Sequence, residues 1–494
     1  MIEALFEGPT LAILSGWVAA AFVIGEALFR FIFITVILSR KGFSPDSRIA
    51  WIVVILAIPL IGWLLYLMFG RRQLGSQRIE RHKEVLQIVK DARCHPELDP
   101  DVVSDIELPE SHTQIASLAE QASGTLPLRG NKLKLFGDTQ DTVAAIINDI
   151  DAAQHDCHLL FYIWLEDGNG IAVGKALIRA AQRGVNARVL VDDVGSRSFL
   201  KSDLCRTMRA QGVQVVAALP ANPLRAIFHR IDLRNHRKII IIDGEIGWTG
   251  SQNMADAAFA PKPKFAPWVD CAIRIEGPTA KELQLLFVED WYMDTDERLD
   301  AAMNQPCVIH PEGIATQVVP SGPDYKNDSA NQLVQACIQI ARKEIVLTTP
   351  YFVPDASSIM NMIVAAQRGV EVTLVTPHRN DSKLVGLASR SNYAPLLEAG
   401  VKIHEYTEGL LHAKTISVDR DLGLITSANL DRRSFNLNYE AGVLIYDSDF
   451  TSQLRFLQQS YIEKSVAIDP RAWTDRGVTK RIMENLAGLL SPML

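Results

Sequence analysis

The chain has 494 residues, with 50 Lys and Arg against 57 Asp and Glu and a formal net charge of -7. That balance excludes the general basic signature of a nucleic-acid-binding protein. Six cysteines without CxxC spacing exclude a zinc module and a dense disulfide framework and are read as free thiols, while the length points to about three domains.

In chain order, residues 1–70 are read as a membrane anchor with two transmembrane helices. Ala50 to Phe69, AWIVVILAIPLIGWLLYLMF, carries no charge and is long enough to cross about 30 Å of hydrocarbon as a helix. Leu11 to Leu38 is apolar apart from Glu26 and Arg30, one helical turn apart and able to pair, and is read as a second span or a deep interfacial segment. Glu3 and Glu7 make the leading segment acidic, and no small-residue cleavage site follows, so the anchor is expected to persist rather than to be a cleaved signal. Arg40, Lys41 and Arg48 mark the loop between the spans. The heavier cluster of Arg71, Arg72, Arg78, Arg81 and Lys83 places the remaining body on the cytoplasmic side.

Residues 71–125, polar and punctuated by Pro96, Pro100 and Pro109, are read as a juxtamembrane connector. Beyond them the chain repeats itself. LLFYIW at Leu159 corresponds to IVLTTPYF at Ile345, AAQRGV occurs at Ala180 and at Ala365, and apolar strands follow each copy. The expected fold class is α/β: two related halves, residues 126–305 and 306–494, with mixed or mostly parallel sheets flanked by helices. TKRIMENLAGLLSPML closes the chain with Ile482, Leu486, Leu489 and Leu490 on one helical stripe, an amphipathic helix that either packs on the body or lies in a membrane interface.

The most informative repeat is NHRKIIIIDGEIGWTGSQN from Asn235 and LHAKTISVDRDLGLITSAN from Leu411. Each holds His-x-Lys, Asp, Ser and Asn at the same offsets: His236, Lys238, Asp243, Ser251 and Asn253, then His412, Lys414, Asp419, Ser427 and Asn429. Side chains alternate along a strand, so each His and Lys share a face, while Asp243 falls on the opposite parity and opens an Asp-Gly turn, a structural position. An imidazole, an ammonium, a hydroxyl and a carboxamide form a donor-rich cluster suited to a phosphodiester. Neither half has a second His-Lys pair, so a two-histidine site requires the halves to meet face to face about a pseudo-twofold axis.

These residues resemble the paired HKD motifs of the phospholipase D superfamily. FYIWLEDG, RNHRKIIIIDG, WTGSQN, SGPD, TTPYFVPD and SANLDRRSFNLNYE, with the Ala50–Phe69 segment, are similar to the bacterial cardiolipin synthases in particular. The resemblance implies two phospholipase D-like halves with pseudo-twofold symmetry, and a catalytic set of His236, Lys238, Asp243, His412, Lys414 and Asp419. It implies phosphate support from Ser251, Asn253, Ser427 and Asn429, and histidine-orienting carboxylates that cross between halves, Glu440 to His236 and Asp270 to His412. His236 is then the nucleophile that forms a phosphohistidine, and His412 the acid and base, though the residues alone leave that order open.

The implied activity moves a phosphatidyl group between two phosphatidylglycerol molecules, giving cardiolipin and glycerol, with no cofactor and no metal. Phosphatidylglycerol, other anionic phospholipids and the bacterial inner membrane are the expected partners, and nucleic acid is not. A membrane-bound phospholipase D, another phosphatidyltransferase and a tethered nuclease are the alternatives on the same cluster. Arg225, Arg230, Arg234 and Arg237 are candidate guides for an anionic headgroup. Tyr162 and Tyr351 hold equivalent places and are candidates for the pocket lining.

Overall fold

The computed structural model describes residues 9–40, 45–70, 76–93, 106–221, 232–325 and 328–490. Glu3, Glu7, Lys41, Arg71, Arg72, Pro96, Pro100, Arg225 and Arg230, singled out above, lie outside them, as does Cys94. The chain forms two compact units, residues 1–73 with 222–232, and residues 74–221 with 233–494.

In the first unit, helix Pro9–Ser39 contains one stretch, Trp17–Ser39, long and apolar enough to cross a membrane. Glu26 and Arg30 pair across one turn at 2.6 Å, as their spacing leads one to expect. The second apolar segment is not one continuous span. It is divided into helices Pro45–Ala57 and Pro59–Phe69 at Ile58, whose φ of -138° and ψ of 79° leave the helical region. Pro59 has no N–H to give the preceding turn, and its ring pushes the residue before it out of the α region. Ile37, Ile55 and Tyr66, one from each helix, form the buried centre of this unit.

The second unit is built on two similar halves. The first carries β1 (Leu128–Phe136), β2 (Asp156–Phe161), β3 (Asn186–Asp192), β4 (Gln214–Ala218), β5 (Arg234–Asn235), β6 (Ile239–Ile242), β7 (Ile246–Gly250), β8 (Trp268–Val269) and β9 (Ala272–Glu276). The second carries β10 (Ile314–Ser321), β11 (Glu344–Thr348), β12 (Phe352–Val353), β13 (Glu371–Pro377), β14 (Lys402–Tyr406), β15 (Leu410–Leu411), β16 (Thr415–Val418), β17 (Leu422–Thr426), β18 (Leu430–Asp431), β19 (Asn438–Tyr446) and β20 (Ser465–Ala467).

The halves join edge to edge. One sheet runs β20-β14-β13-β11-β16-β17-β19-β10-β1-β9-β7-β6-β2-β3-β4, reading nearly the same from either end, with β1 and β10 antiparallel at the seam. The expected mixed sheet is present: β2, β3 and β4 run parallel, as do β11, β13 and β14, and the motif hairpins β6–β7 and β16–β17 are antiparallel. The expected face-to-face meeting is replaced by this continuous sheet, because β1 and β10 each leave an edge that pairing with the other satisfies. Helices Pro278–Thr295 and Ser448–Glu463 each follow the last long strand of their half and contribute to one core cluster, through Phe287 and Trp291, and Leu454 and Tyr461.

The AAQRGV repeat has a structural reason. In both copies the glycine takes a left-handed conformation at the helix end, Gly184 at φ 92° and Gly369 at φ 91°. The arginine before each caps the carbonyl end of the preceding helix: Arg183 donates to Ile150 O and Ala153 O, and Arg368 to Gln339 O and Ala341 O.

The segment expected as a connector belongs in part to the body. Helix Ser76–Arg93 packs on Pro278–Thr295 and sends Val85 and Val89 into the core. Arg78 pairs with Asp294 at 3.1 Å, and Arg81 with Asp296, so two charges read as membrane-flanking are used inside this unit. Helix Glu110–Ser123 packs on β10 and places Ile115 and Ala119 in the core of the second half.

Candidate active site

Each motif begins on a short strand off the main strand path and runs into the sheet. Asn235 precedes His236 on β5, which pairs parallel with Asn438 and Tyr439 of β19 in the other half. Leu411 precedes His412 on β15, which pairs with Trp268 and Val269 of β8. These short ladders cross the seam twice, and the residue after each partner segment is the carboxylate that the crossing arrangement requires. Glu440 Oε2 accepts from His236 Nδ1 at 2.8 Å, and Asp270 Oδ1 from His412 Nδ1 at 2.6 Å.

With an ionised carboxylate on Nδ1, that nitrogen carries the proton and Nε2 keeps its lone pair. Burial, opposed by Glu440, pushes His236 down to about 4; burial and then the Lys414 ammonium push His412 down to about 4. Both rings rest neutral. Burial alone would raise the carboxyl groups, but His412 outweighs it and brings Asp270 to about 2, and His236 likewise lowers Glu440. Lys238 is pushed to about 7 and Lys414 to about 8, in each case chiefly by burial. Each lysine's charge reaches the histidine of both halves, so the two motifs share one electrostatic site.

The lysines are fixed by their own strand. Lys238 Nζ donates to His236 O at 2.6 Å and Lys414 Nζ to His412 O at 2.7 Å, leaving each ammonium further protons for an anion. Asn253 Oδ1 accepts from Ile163 N at 3.2 Å, which leaves its amide nitrogen as a donor.

Five assignments change. Ser251 and Ser427 do not reach for phosphate: each hydroxyl donates to the orienting carboxylate at 2.6 Å, Ser251 to Asp270 and Ser427 to Glu440, and accepts the N–H of the residue that follows that acid. They hold the carboxylates that hold the rings. Asp243 and Asp419 are at the far ends of β6 and β16 from the lysines. Asp243 accepts the backbone N–H of Gln154, His155 and Asp156, and Asp419 those of Arg342, Lys343 and Glu344, which occupies both as turn clamps and agrees with their strand parity. Arg237 is no headgroup guide. It is fully buried, pairs with Asp290 at 2.8 Å, donates to Glu440 O at 3.2 Å and lies between the rings of Tyr325 and Tyr439. Arg234 is buried near Asp192.

Tyr162 packs its ring against His236 with centroids 4.8 Å apart, and Trp268 does the same to His412 at 4.6 Å. Tyr351 instead donates to Asp381, which also takes Lys262 Nζ at 2.6 Å. Trp268, Asp381 and Asp192 escaped the sequence reading. Asp192 accepts the N–H of Val194, Gly195 and Asn235, tying β3 to the residue before His236.

The assembled set can attack phosphorus with one ring, protonate a leaving alkoxide with the other and hold nonbridging oxygens with two ammonium groups. Comparison with known proteins agrees with that chemistry. Residues 146–291 and 334–459 match the family model described as "Cardiolipin synthase, PLD-like domain". Residues 27–71 match "Phospholipase_D-nuclease N-terminal". The chain is 38% identical over 93% of its length to cardiolipin synthase A of Pectobacterium carotovorum, covering 96% of that protein. It is 36% identical to cardiolipin synthase A of Edwardsiella ictaluri, with 93% and 96% covered. Among solved structures, phosphatidylserine synthase of Haemophilus influenzae matches with a TM-score of 0.57 and 15% identity over 78% of this chain and 98% of that one, a likeness of fold.

Proposed function

The chain belongs to the cardiolipin synthase family of the phospholipase D superfamily, and from that premise we propose how its residues carry out phosphatidyl transfer. It is a phosphatidyltransferase that makes cardiolipin from phosphatidylglycerol. His236 Nε2 attacks phosphorus, His412 protonates the departing glycerol oxygen, and glycerol leaves behind a phosphohistidine. His412, now neutral, takes the proton from the terminal hydroxyl of a second phosphatidylglycerol. That oxygen displaces the imidazole, giving cardiolipin and free His236.

The observation that carries this scheme is the crossed pair of His–carboxylate contacts, each made by a ring of one half and an acid of the other. Both rings rest neutral, which suits the nucleophile at once. The acid acquires its proton as the anionic diester enters and favours the charged imidazole. Lys238, Lys414 and Asn253 hold the nonbridging oxygens. Retention of a lipid alcohol over water follows from a site in which the reacting groups are buried.

We place the enzyme in the bacterial inner membrane, with Trp17–Ser39 as a span and the broken helix pair Pro45–Ala57 and Pro59–Phe69 crossing with it, and the body on the cytoplasmic side. Anionic phospholipids are its substrates, and nucleic acid is not. The test is product analysis of the purified protein on phosphatidylglycerol vesicles. Cardiolipin and glycerol in equal amounts are expected, with added glycerol driving the reverse reaction; phosphatidic acid as the main product would make it a hydrolase.

A further inference from the structure

The carboxyl-terminal helix Val478–Leu489 is inside out. Its buried residues are Glu484 and Ala487, and Gly488 faces Ser391. Its apolar residues point away from the protein: Val478, Ile482, Met483, Leu486, Leu489 and the capping Leu490 are 43% to 75% exposed. At 3.6 residues per turn these six lie within an arc of about 140°. A surface helix of a soluble domain turns such an arc inward.

The inner face is nonetheless firmly seated. Glu484 takes a two-pronged ion pair from Arg476 at 2.9 and 2.8 Å, and Arg476 lies on the ring of Trp473. Ala487 packs with Ala388 and Val353. The partner helix Lys383–Ser391 starts at Ser382, directly after Asp381, which binds Tyr351 and Lys262 and contributes to the field at Lys414. The outward apolar face is therefore fixed one helix away from a loop that bears on the catalytic lysine.

We propose that this face is a docking surface for an anionic phospholipid leaflet, which it enters as an interfacial helix beside the active site. Lys480 and Arg481 are exposed and flank the arc on its two sides, where phosphate groups of a leaflet lie when the apolar side chains enter the acyl boundary. A second copy of the chain fits less well. It would bring the same cations together, and a stable pair needs about 800 Å² from each partner, where this face offers six apolar side chains. The inference rests on the lipid-substrate reading for its purpose, not for its geometry.

The test uses the full chain in nanodiscs loaded with one copy or with two, made of phosphatidylglycerol or of zwitterionic lipid alone. Hydrogen exchange is expected to show residues 478–490 protected in the anionic discs and less so in the zwitterionic ones. The paired change Leu486→Glu and Leu489→Glu is expected to abolish that protection and to raise the phosphatidylglycerol surface concentration for half-maximal rate on the order of tenfold, with maximal turnover retained. Equal exchange in both disc types, or protection only where two copies share a disc, would overturn the proposal. Protection without any cardiolipin formed would leave docking standing and remove the proposed function instead.

Discussion

At the residue scale, the division of labour between rings and acids makes the sharpest expectations. His236→Ala and His412→Ala should each lower turnover on the order of 10³-fold or more while the thermal unfolding midpoint stays near that of the parent, because each ring performs a step the other cannot. Substantial cardiolipin formation by either variant contradicts the two-ring scheme. The lysines set the alkaline limb. Lys238 at about 7 and Lys414 at about 8 lose their charge as pH rises through those values, so kcat/KM should fall. A bound diester favours the ammonium forms, so kcat should hold to higher pH, and a pH-rate series on vesicles separates the two. The histidines and lysines were legible because the chemistry needs those residue types at repeated offsets, whereas the crossing acids, Asp270 and Glu440, stand at different distances from their motifs and were legible only through the family resemblance. The serines were legible as positions but not as partners. Ser251 and Ser427 are bound to carboxylates 19 and 13 residues further along the chain, a pairing that only the antiparallel register of β7 with β9 and β17 with β19 creates.

At the scale of the elements, the site depends on how closely two strands approach beside each serine. Gly250 faces Ala272 across the ladder, and Thr426 faces Gly442, so each half keeps one glycine in the pair but on opposite strands. A Cβ on Gly250 would stand 2.3 Å from Cys271 O, and its φ of 144° is unfavourable for any other residue. Gly250→Ala should therefore destabilise the protein by about 2–3 kcal/mol and displace the Ser251–Asp270 contact, measured by chemical unfolding and by the loss of activity below the midpoint. Gly442 would meet Thr426 side-chain atoms at 3.1 Å, a milder conflict that a rotamer change relieves. The strands themselves were readable from runs such as Ile239 to Ile242, buried on both faces. The interruption at Ile58 was not read, since hydropathy counts Pro59 as one uncharged residue among twenty, whereas its effect is on backbone hydrogen bonding.

For the whole molecule, β19 of the second half, helix Pro278–Thr295 of the first and the helix Ser76–Arg93 converge on the charged layer around Arg237. This arginine sits between His236 and Lys238 in sequence, yet its partners are Asp290, the carbonyl of Glu440 and the rings of Tyr325 and Tyr439. Arg237→Met leaves Asp290 buried without its cation and should cost about 3–5 kcal/mol, read by chemical unfolding. Arg237→Met together with Asp290→Leu should recover much of that loss, since an apolar pair of similar volume replaces a buried ionic one at little penalty. The repeated pattern revealed two related units, but how they join was hidden. Strand periodicity records which face of a strand is covered, not which neighbour pairs with an outer strand such as β1 or β10.

The exchange of Glu440 and Asp270 between halves has a historical reading. A solitary ancestral copy would have owned a histidine without the acid that orients it, so it would have been competent only when paired with a twin. Fusion in tandem released the copies from identity. The second now presents a glutamate and the first an aspartate, and the first lays Tyr162 against its own His236 and Trp268 against His412 of the other, stations that a symmetric dimer could not have specialised in that way.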